Sequence, residues 1–250
     1  MALRLSLSKS QYIRGLQCPK SLYLHKYHPK LRNDISDEQQ AVFSRGTDVG
    51  ILAQKLFPGG IEIPFDGLSV AEQVEMTRKA IARKALTIYE ASFLEDGIFI
   101  KVDILQRGSK GWELYEVKSA TKVKPVNLDD IAMQYYVLKE AGIKISKAYL
   151  THINSSYVRK KRISVKKLFT HADVTAEVKA LQKEVPATIK NLRKMISGLT
   201  APTRMTAISV TTAGSISPKI PSSVWLVAGL TSLSITGSQR CLFPICLWMN

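Results

Sequence analysis

Acidic and basic side chains with the spacing of a catalytic centre lie in two neighbouring segments of this chain. Asp103 lies in the apolar run GIFIKVDIL, and Glu116 and Lys118 lie in ELYEVKS. Side chains two residues apart on a strand project from the same face, so Glu116 and Lys118 share one face. A hairpin between the two segments brings Asp103 beside them. Two carboxylates and an ammonium at one end of a sheet suit Mg²⁺, which prefers oxygen ligands and leaves coordination for water and a phosphate.

The residue types assign a task to each member of this group. Asp103 and Glu116 are expected to hold Mg²⁺ or Mn²⁺, with the Val117 carbonyl as an additional ligand. Lys118 is expected to orient or deprotonate the attacking water and to offset phosphate charge. The same spacing is equally typical of a cross-strand salt-bridge cluster with no catalytic role, and the spacing alone leaves that alternative open.

Hydrophobic periodicity predicts the elements that position these residues. Short aliphatic and aromatic runs separated by turn residues predict strands over 88–94, 98–106, 112–119 and 145–153, with a further candidate over 157–165. Helices are predicted over 8–27, 34–57, 128–141 and 174–196, and a further helix begins after a capping box at Ser69. The first helix has Ser8 as its N-cap and is interrupted at Cys18 and Pro19.

The order of these elements predicts the fold class. A helix, a three-stranded antiparallel meander, a helix and a strand, with extra helices at both ends, make an α+β or mixed α/β domain. We therefore expect an N-terminal helical region over 1–87, a catalytic core over 88–170 and a C-terminal helix over 171–198. Residues 199–250 form a separate tail with a different composition.

The chain is strongly basic, with 36 Lys and Arg against 20 Asp and Glu and a net charge of +16. Such an excess favours a polyanionic partner. A hydrophobic content of 45% excludes wholesale disorder. One run concentrates the positive charge: Arg159, Lys160, Lys161, Arg162, Lys166 and Lys167. It is interpreted as a track for a phosphate backbone, with a solvated surface as the alternative.

These residues resemble the PD-(D/E)XK nuclease superfamily, whose signature is an Asp followed by Glu-x-Lys on the next strand. Asp103 and the run from Glu116 to Lys118 match that signature. Gln134 matches the helical Gln of the RecB-like branch, although Leu138 stands where that branch has Tyr. The resemblance implies a restriction-endonuclease-like core and catalytic roles for these residues, with Gln134 contacting the attacking water or the scissile strand. Glu90 is an additional acidic candidate for the metal face, with a structural role as the favoured alternative.

More specifically, the chain resembles bacterial proteins related to the RecB-like iron–sulfur exonucleases of CRISPR systems. The resemblance covers roughly residues 6–197 and includes LSKSQYIRGLQCPKSLYL and RGTDVGILAQKLFPGG. It implies single-stranded DNA as substrate and a [4Fe-4S] cluster held by four cysteines, the first matched by Cys18. Cys241 and Cys246 do not match the remaining pattern, so the cluster is not expected to be complete in this chain.

Residues 201–250 contain no Asp, Glu or His. A one-base shift of reading frame near 198–200 can restore a Cys-x5-Cys pair there, so we interpret 199–250 as a frame-shifted, disordered tail. The stretch 221–239 is too polar and too short for a membrane span. The first ten residues lack a secretory signal and three cysteines give no disulfide framework, which favours a cytoplasmic protein.

Together these patterns predict a metal-dependent nuclease that hydrolyses DNA phosphodiester bonds, with exonuclease-like action on single strands. The alternative is a catalytically inactive nucleic-acid-binding module derived from a nuclease. The two hypotheses share the basic surface and differ in whether Lys118 takes part in cleavage.

Overall fold

The computed structural model describes residues 7–31 and 34–198, which belong to one compact unit. The interpretation of 199–250, together with Cys241 and Cys246, lies outside the described residues. Within the described ranges, no helix is long and apolar enough to cross a membrane.

The N-terminal segment contributes a short strand and two helices. Strand β1 (Leu7–Ser8) leads into α1 (Lys9–Gln17), whose N-cap Ser8 forms a capping box with Gln11. Cys18 ends α1, and Pro19 begins α2 (Pro19–Tyr27), because proline is tolerated in the first turn of a helix. The predicted interruption at Cys18 and Pro19 is confirmed.

The next segment adds two helices and an edge strand. Helix α3 (Asp37–Gln54) is capped by Ser36, strand β2 (Ile61–Glu62) follows, and α4 (Val70–Ala82) is capped by Ser69. The capping box predicted at Ser69 is present, since the Glu72 carboxylate accepts the Ser69 backbone N–H at 2.8 Å.

The predicted meander and crossover are confirmed. Strands β3 (Thr87–Glu95), β4 (Ile98–Arg107) and β5 (Trp112–Lys118) pair antiparallel in sequence order. Helix α5 (Pro125–Glu140) then returns the chain, so that β6 (Ile145–Ile153) pairs parallel with β5. A crossover helix between parallel strands is the ordinary solution to this connection.

The prediction of a strand over 157–165 is wrong. This segment turns back on itself, because the Tyr157 backbone N–H donates to the Asn154 carbonyl and the Ser164 backbone N–H donates to the Tyr157 hydroxyl. A short helix α6 (Val165–Leu168) follows, and the last strand is β7 (Phe169–Asp173), antiparallel to β6.

The single helix predicted over 174–196 is two helices, α7 (Thr175–Leu181) and α8 (Val185–Gly198). Pro186 explains the break, because its ring and missing N–H fit the first turn of a helix and disrupt an interior. Strand β7 also crosses the boundary expected between 170 and 171, so the last segment is a strand end followed by two helices.

The strands form one mixed sheet in the order β2-β3-β4-β5-β6-β7, with β1 pairing parallel with β4. The larger core cluster includes residues of α1, α2, α4, α5, α7 and α8 packed with the sheet. A second cluster joins Ala53 of α3 to Tyr89, Ile104, Tyr115 and Phe169. The expected α+β fold is confirmed, and α5 packs on β3, β4 and β6.

Candidate active site

Three acidic residues lie at one level of the meander. The pairs Tyr89↔Ile104 and Ala91↔Val102 bracket Glu90 and Asp103, so these two residues are neighbours across β3 and β4. The next ladder ends at Ile104↔Tyr115, which places Asp103 beside Glu116 of β5. Strand pairing therefore brings Glu90 beside Asp103 and Asp103 beside Glu116, although 13 residues separate the members of each pair in the sequence.

The strands are irregular at this level. Glu90 has a φ of 54°, in the left-handed region that a non-glycine residue rarely adopts. Ile88 and Ala91 both belong to the larger core cluster, although strict alternation would place them on opposite faces. Val102 and Leu105 on β4 show the same break. Both changes of alternation thus flank the acidic row, and such irregularities are common next to active sites.

The Asp103 side chain accepts a hydrogen bond from the backbone of β5 at this point. Its Oδ2 accepts the backbone N–H of Val117 at 2.6 Å. The bond fixes the Asp103 carboxylate against the peptide group between Glu116 and Val117. Two of the residues predicted from the sequence as metal ligands, Asp103 and Val117, are thereby held in direct contact.

Glu116 is the most fully engaged carboxylate of the group. Its side chain is 1% exposed, and its Oε1 lies 2.7 Å from the Lys118 ammonium. Its Oε2 accepts the Gln134 side-chain amide at 2.7 Å. Lys9, from the start of α1, lies 3.1 Å from Oε1 and 3.2 Å from Oε2. The structure therefore brings the predicted residues Glu116, Lys118 and Gln134 together.

Helix α5 supplies a third carboxylate, Asp130, to the same group. Lys118 donates to its Oδ2 at 2.9 Å, and Gln134, one helical turn further on, donates to its Oδ1 at 3.1 Å. Gln134 is completely buried, and its Oε1 has no protein partner. An unpaired buried oxygen is an acceptor that a water or a ligand can satisfy.

Asp130 and Lys9 were missed in the interpretation of the sequence. Asp130 could have been found, because it precedes Gln134 by four residues and residues at that spacing share a helix face. Lys9 carries no such signal. It is separated from Glu116 by 107 residues, and only the packing of α1 beside the sheet joins them.

Burial and mutual charge determine the protonation of the site. Burial and the negative charge of Glu116 raise the pKa of Asp103 to about 7, while Lys9 and Lys118 partly oppose the shift. Burial also opposes ionisation of Glu116, but Lys118, Lys9 and the Gln134 hydrogen bond outweigh it and hold its pKa far below the usual range. The group therefore pairs a permanently ionised Glu116 with an Asp103 that is poised near neutral pH.

The two lysines remain cationic for the same reason. Burial by itself lowers the pKa of Lys118, but Glu116 and Asp130 raise it well above its ordinary value. The same balance holds for Lys9, where burial is outweighed by Asp130, Glu116 and Asp103 and the pKa rises. Both lysines therefore act as fixed positive charges near pH 7.

The donor set fits a divalent cation in part. Half-buried Asp103 lies beside buried Glu116, and burial together with the negative charge of Glu116 raises the pKa of Asp103, so additional positive charge would favour its ionised form. A divalent cation supplies the missing charge, and the Val117 peptide adds a carbonyl of the type that Mg²⁺ accepts. Among the described residues, no group of three or more His, Cys, Asp or Glu side chains is arranged to hold a metal.

Glu90 lies beside Asp103 across β3 and β4, and its charge contributes to the raised pKa of Asp103, so its place on the metal face stays a prediction. Glu90 forms an ion pair with Lys101 at 3.3 Å, and its side chain is 35% exposed. Cys18 is a free, half-buried thiol at the junction of α1 and α2, and no second cysteine occurs in the ranges that the structure covers. The cluster-ligand role of Cys18 stays a prediction.

The basic run lies in the segment 154–168, here called the basic loop, which follows β6. Strand β6 pairs with β5 through Lys118↔His152, and the Ile153 backbone N–H donates to the Ala120 carbonyl. The basic loop therefore leaves the sheet next to the strand end that carries Lys118. An open cavity of about 700 Å³ is lined by residues of this loop, including Lys160, Lys161, Arg162, Lys166 and Lys167. None of these five cations pairs with an acid among the residues described.

Comparison with known proteins finds likeness only at the level of solved structures. No protein-family model and no curated protein matches the chain. An alkaline exonuclease, LHK-Exo, from Laribacter hongkongensis is 14% identical, with a TM-score of 0.44 over 80% of this chain and 94% of that chain. LHK-Exo in complex with dAMP is also 14% identical, with a TM-score of 0.43 over 80% and 93%. SSO0001 is 13% identical, with a TM-score of 0.39 over 80% and 88%. Values in this range assign neither a family nor an activity to the chain.

Proposed function

We propose that this protein is a metal-dependent nuclease that hydrolyses DNA phosphodiester bonds. The observation that supports it is the convergence of predicted residues from three elements. Glu116 contacts Lys118 and Gln134 directly, and Asp103 of β4 accepts the Val117 backbone N–H between Glu116 and Lys118. Such a mixed group of buried carboxylates and an ammonium in contact with a further polar residue is typical of phosphoryl-transfer sites.

Each side chain has a role that its contacts support. Asp103 and Glu116 would hold Mg²⁺ or Mn²⁺ together with the Val117 carbonyl, and the ion would supply positive charge for the phosphoryl group. Gln134 has an unpaired Oε1, which can accept a hydrogen bond from the attacking water. Glu116 and Asp130 hold Lys118 in place, so its ammonium has a defined position before substrate arrives.

The raised pKa of Lys118 supports one of the two roles expected for it. A lysine acting as a general base must lose its proton near neutral pH, whereas Glu116 and Asp130 keep Lys118 protonated. Lys118 is therefore proposed to orient the attacking water and to stabilise the charge of the phosphate, while the proton that the water loses is released to solvent.

The basic loop supplies the surface for the DNA strand. Its cations lack acidic partners in the described part of the chain, and its exit from the sheet adjoins the strand that bears Lys118. A strand that passes from the loop to Lys118 would have its phosphates neutralised along the way. The resemblance of the sequence to RecB-like nucleases supports single-stranded DNA as the proposed substrate and exonuclease-like action.

One observation favours a second candidate, a nucleic-acid-binding module without catalysis. Both carboxylate oxygens of Glu116 already accept from Lys9, Lys118 or Gln134, so the protein neutralises its own ligand. In a nuclease-derived protein that has lost catalytic activity, the contacts of Glu116 would form a salt-bridge network and the basic loop would still bind DNA.

Cleavage and binding by Lys118→Ala separate the two candidates. End-labelled single-stranded DNA is incubated with the full chain and Mn²⁺, and binding is measured in parallel by fluorescence anisotropy in EDTA. We expect the variant to lose cleavage at least about a hundredfold, as for removal of a preorganised charge at a transition state, and to bind DNA within about threefold of the unmodified protein. The exposed Lys122→Ala is the matched control. Equal cleavage by Lys118→Ala and the unmodified protein would refute the catalytic assignment, and absence of cleavage in the unmodified protein would favour the binding module.

A further inference from the structure

Lys9 has an unusual position for a lysine. It is the first residue of α1, a helix with no acidic residue in its first turn, and the positive end of a helix disfavours a cation. Its side chain is nonetheless only 23% exposed. The carboxylates of the site must therefore keep it there, because nothing in its own helix does.

The contacts of Lys9 are shared between two acids. Its ammonium spans both oxygens of Glu116, at 3.1 Å and 3.2 Å, and lies 3.5 Å from Oδ1 of Asp130. Lys118 is shared between the same two acids at shorter distances, 2.7 Å and 2.9 Å. Two ammonium groups thus lie between two carboxylates, and Lys9 is the more loosely held of the two.

The coordination of Glu116 leaves little space for another cation. Its Oε1 accepts from Lys9 and Lys118, and its Oε2 accepts from Lys9 and Gln134. A divalent cation that binds Glu116 must displace one of these donors. Lys118 and Gln134 make the shortest contacts and are also tied to Asp130 by hydrogen bonds, so Lys9 is the donor that yields most easily.

We propose that Lys9 is an internal counter-ion that competes with the divalent cation for Glu116, and that Asp130 receives the ammonium when the cation binds. The inference rests on the proposed metal site. Lys9 is a positioning residue in this scheme, since it acts through Glu116 and Asp130 and needs no contact with DNA. Its charge stabilises the metal-free site and is released from Glu116 as the metal enters, so the N-terminal helix tunes metal affinity.

Calorimetric titration of the full chain with Mn²⁺ tests the proposal without relying on activity. Lys9→Met removes the competing charge at similar length, and we expect Mn²⁺ to bind about tenfold tighter or more, because a cation a few ångströms from the metal is a strong repulsive charge in a buried site. The exposed Lys20→Met, which changes net charge equally, is expected to leave the affinity within about twofold.

Asp130→Asn provides a second, independent readout. The substitution removes the acceptor for Lys9, so Mn²⁺ binding is expected to weaken about tenfold in the unmodified background. In the Lys9→Met background the same substitution is expected to weaken binding by clearly less, since no ammonium then needs to be received. The difference between the two losses measures the coupling between Lys9 and Asp130.

The outcomes distinguish the inference from the proposed function. Unchanged or weaker Mn²⁺ binding by Lys9→Met, with Lys20→Met normal, would overturn the counter-ion assignment while leaving the metal site intact. Failure of the unmodified protein to bind Mn²⁺ would overturn both the metal site and this inference. If Lys9→Met does not fold, Lys9→Gln is used in its place. The proposal is also overturned if Asp130→Asn weakens Mn²⁺ binding equally with and without the substitution at Lys9.

Discussion

Replacing Asp103 with Asn is expected to stabilise the metal-free protein, although it removes a residue of the proposed catalytic centre. The Asp103 carboxylate lies beside ionised Glu116 and accepts one hydrogen bond from the Val117 backbone at 2.6 Å. An Asn side chain keeps an oxygen for that bond and carries no charge. The substitution therefore removes the repulsion and preserves the main contact.

The magnitude follows from the pKa of Asp103, which burial and Glu116 raise from 3.8 to about 7. Each power of ten in a protonation equilibrium corresponds to about 1.4 kcal/mol, so holding Asp103 ionised at pH 8 costs on the order of 4 kcal/mol. The new amide N–H₂ needs partners of its own, and leaving a donor unsatisfied costs about 1–3 kcal/mol. We expect the free energy of unfolding at pH 8 to rise by about 1–3 kcal/mol.

The pH dependence has a defined sign. Because the pKa of Asp103 is higher in the folded protein than in the unfolded chain, protonation of Asp103 stabilises the fold. That stabilisation is fully present below about pH 4 and is lost as the pH rises through about 7. The advantage of Asp103→Asn should therefore be largest at pH 8 and should shrink between pH 8 and pH 4.

Urea unfolding of the full chain in EDTA, followed by circular dichroism at pH 8 and pH 5, measures the effect. Asp66→Asn, an identical change at an exposed residue, is the control and should leave the stability within about 0.5 kcal/mol. Adding Mg²⁺ at pH 8 should stabilise the unmodified protein and leave Asp103→Asn nearly unchanged. Destabilisation of Asp103→Asn at pH 8, or a stability difference that is the same at both pH values, would refute this electrostatic account.

Two further predictions concern the basic loop and the packing of α1. Reversing two charges of the basic loop, by Lys160→Glu together with Lys161→Glu, should weaken single-stranded DNA binding at least tenfold and reduce the salt dependence of binding. Both effects are measured by fluorescence anisotropy from 50 to 300 mM NaCl. The stability gained by Asp103→Asn should be the same in this charge-reversed protein. An unchanged salt slope would exclude the loop as the phosphate track. Gly15→Ala should destabilise the fold by about 1–3 kcal/mol in urea, because its Cβ would lie 2.6 Å from the Leu192 side chain; full stability would show that α8 can move aside.

The central fold could be predicted from local patterns because its signals are local. The turn between β3 and β4 contains Asp96 and Gly97, both with positive φ, as a tight hairpin requires. Gly142, with a φ of 74°, follows α5 and ends it. The prediction of a strand over 157–165 was wrong because β-branched and cationic residues suit both an edge strand and a loop. Hydrogen bonds of side chains within the basic loop decide between the two.

The sequence by itself determined the catalytic hypothesis, because the Glu-x-Lys spacing places Glu116 and Lys118 on one strand face and a hairpin brings Asp103 beside them. Only the tertiary structure decided what surrounds these residues. Lys9 and Asp130 enter the site through the packing of α1 and α5 on the sheet, and contacts between residues 107 positions apart leave no periodic trace in a sequence. Their charges fix the protonation of Glu116 and Lys118, since buried groups respond to the neighbours that packing provides.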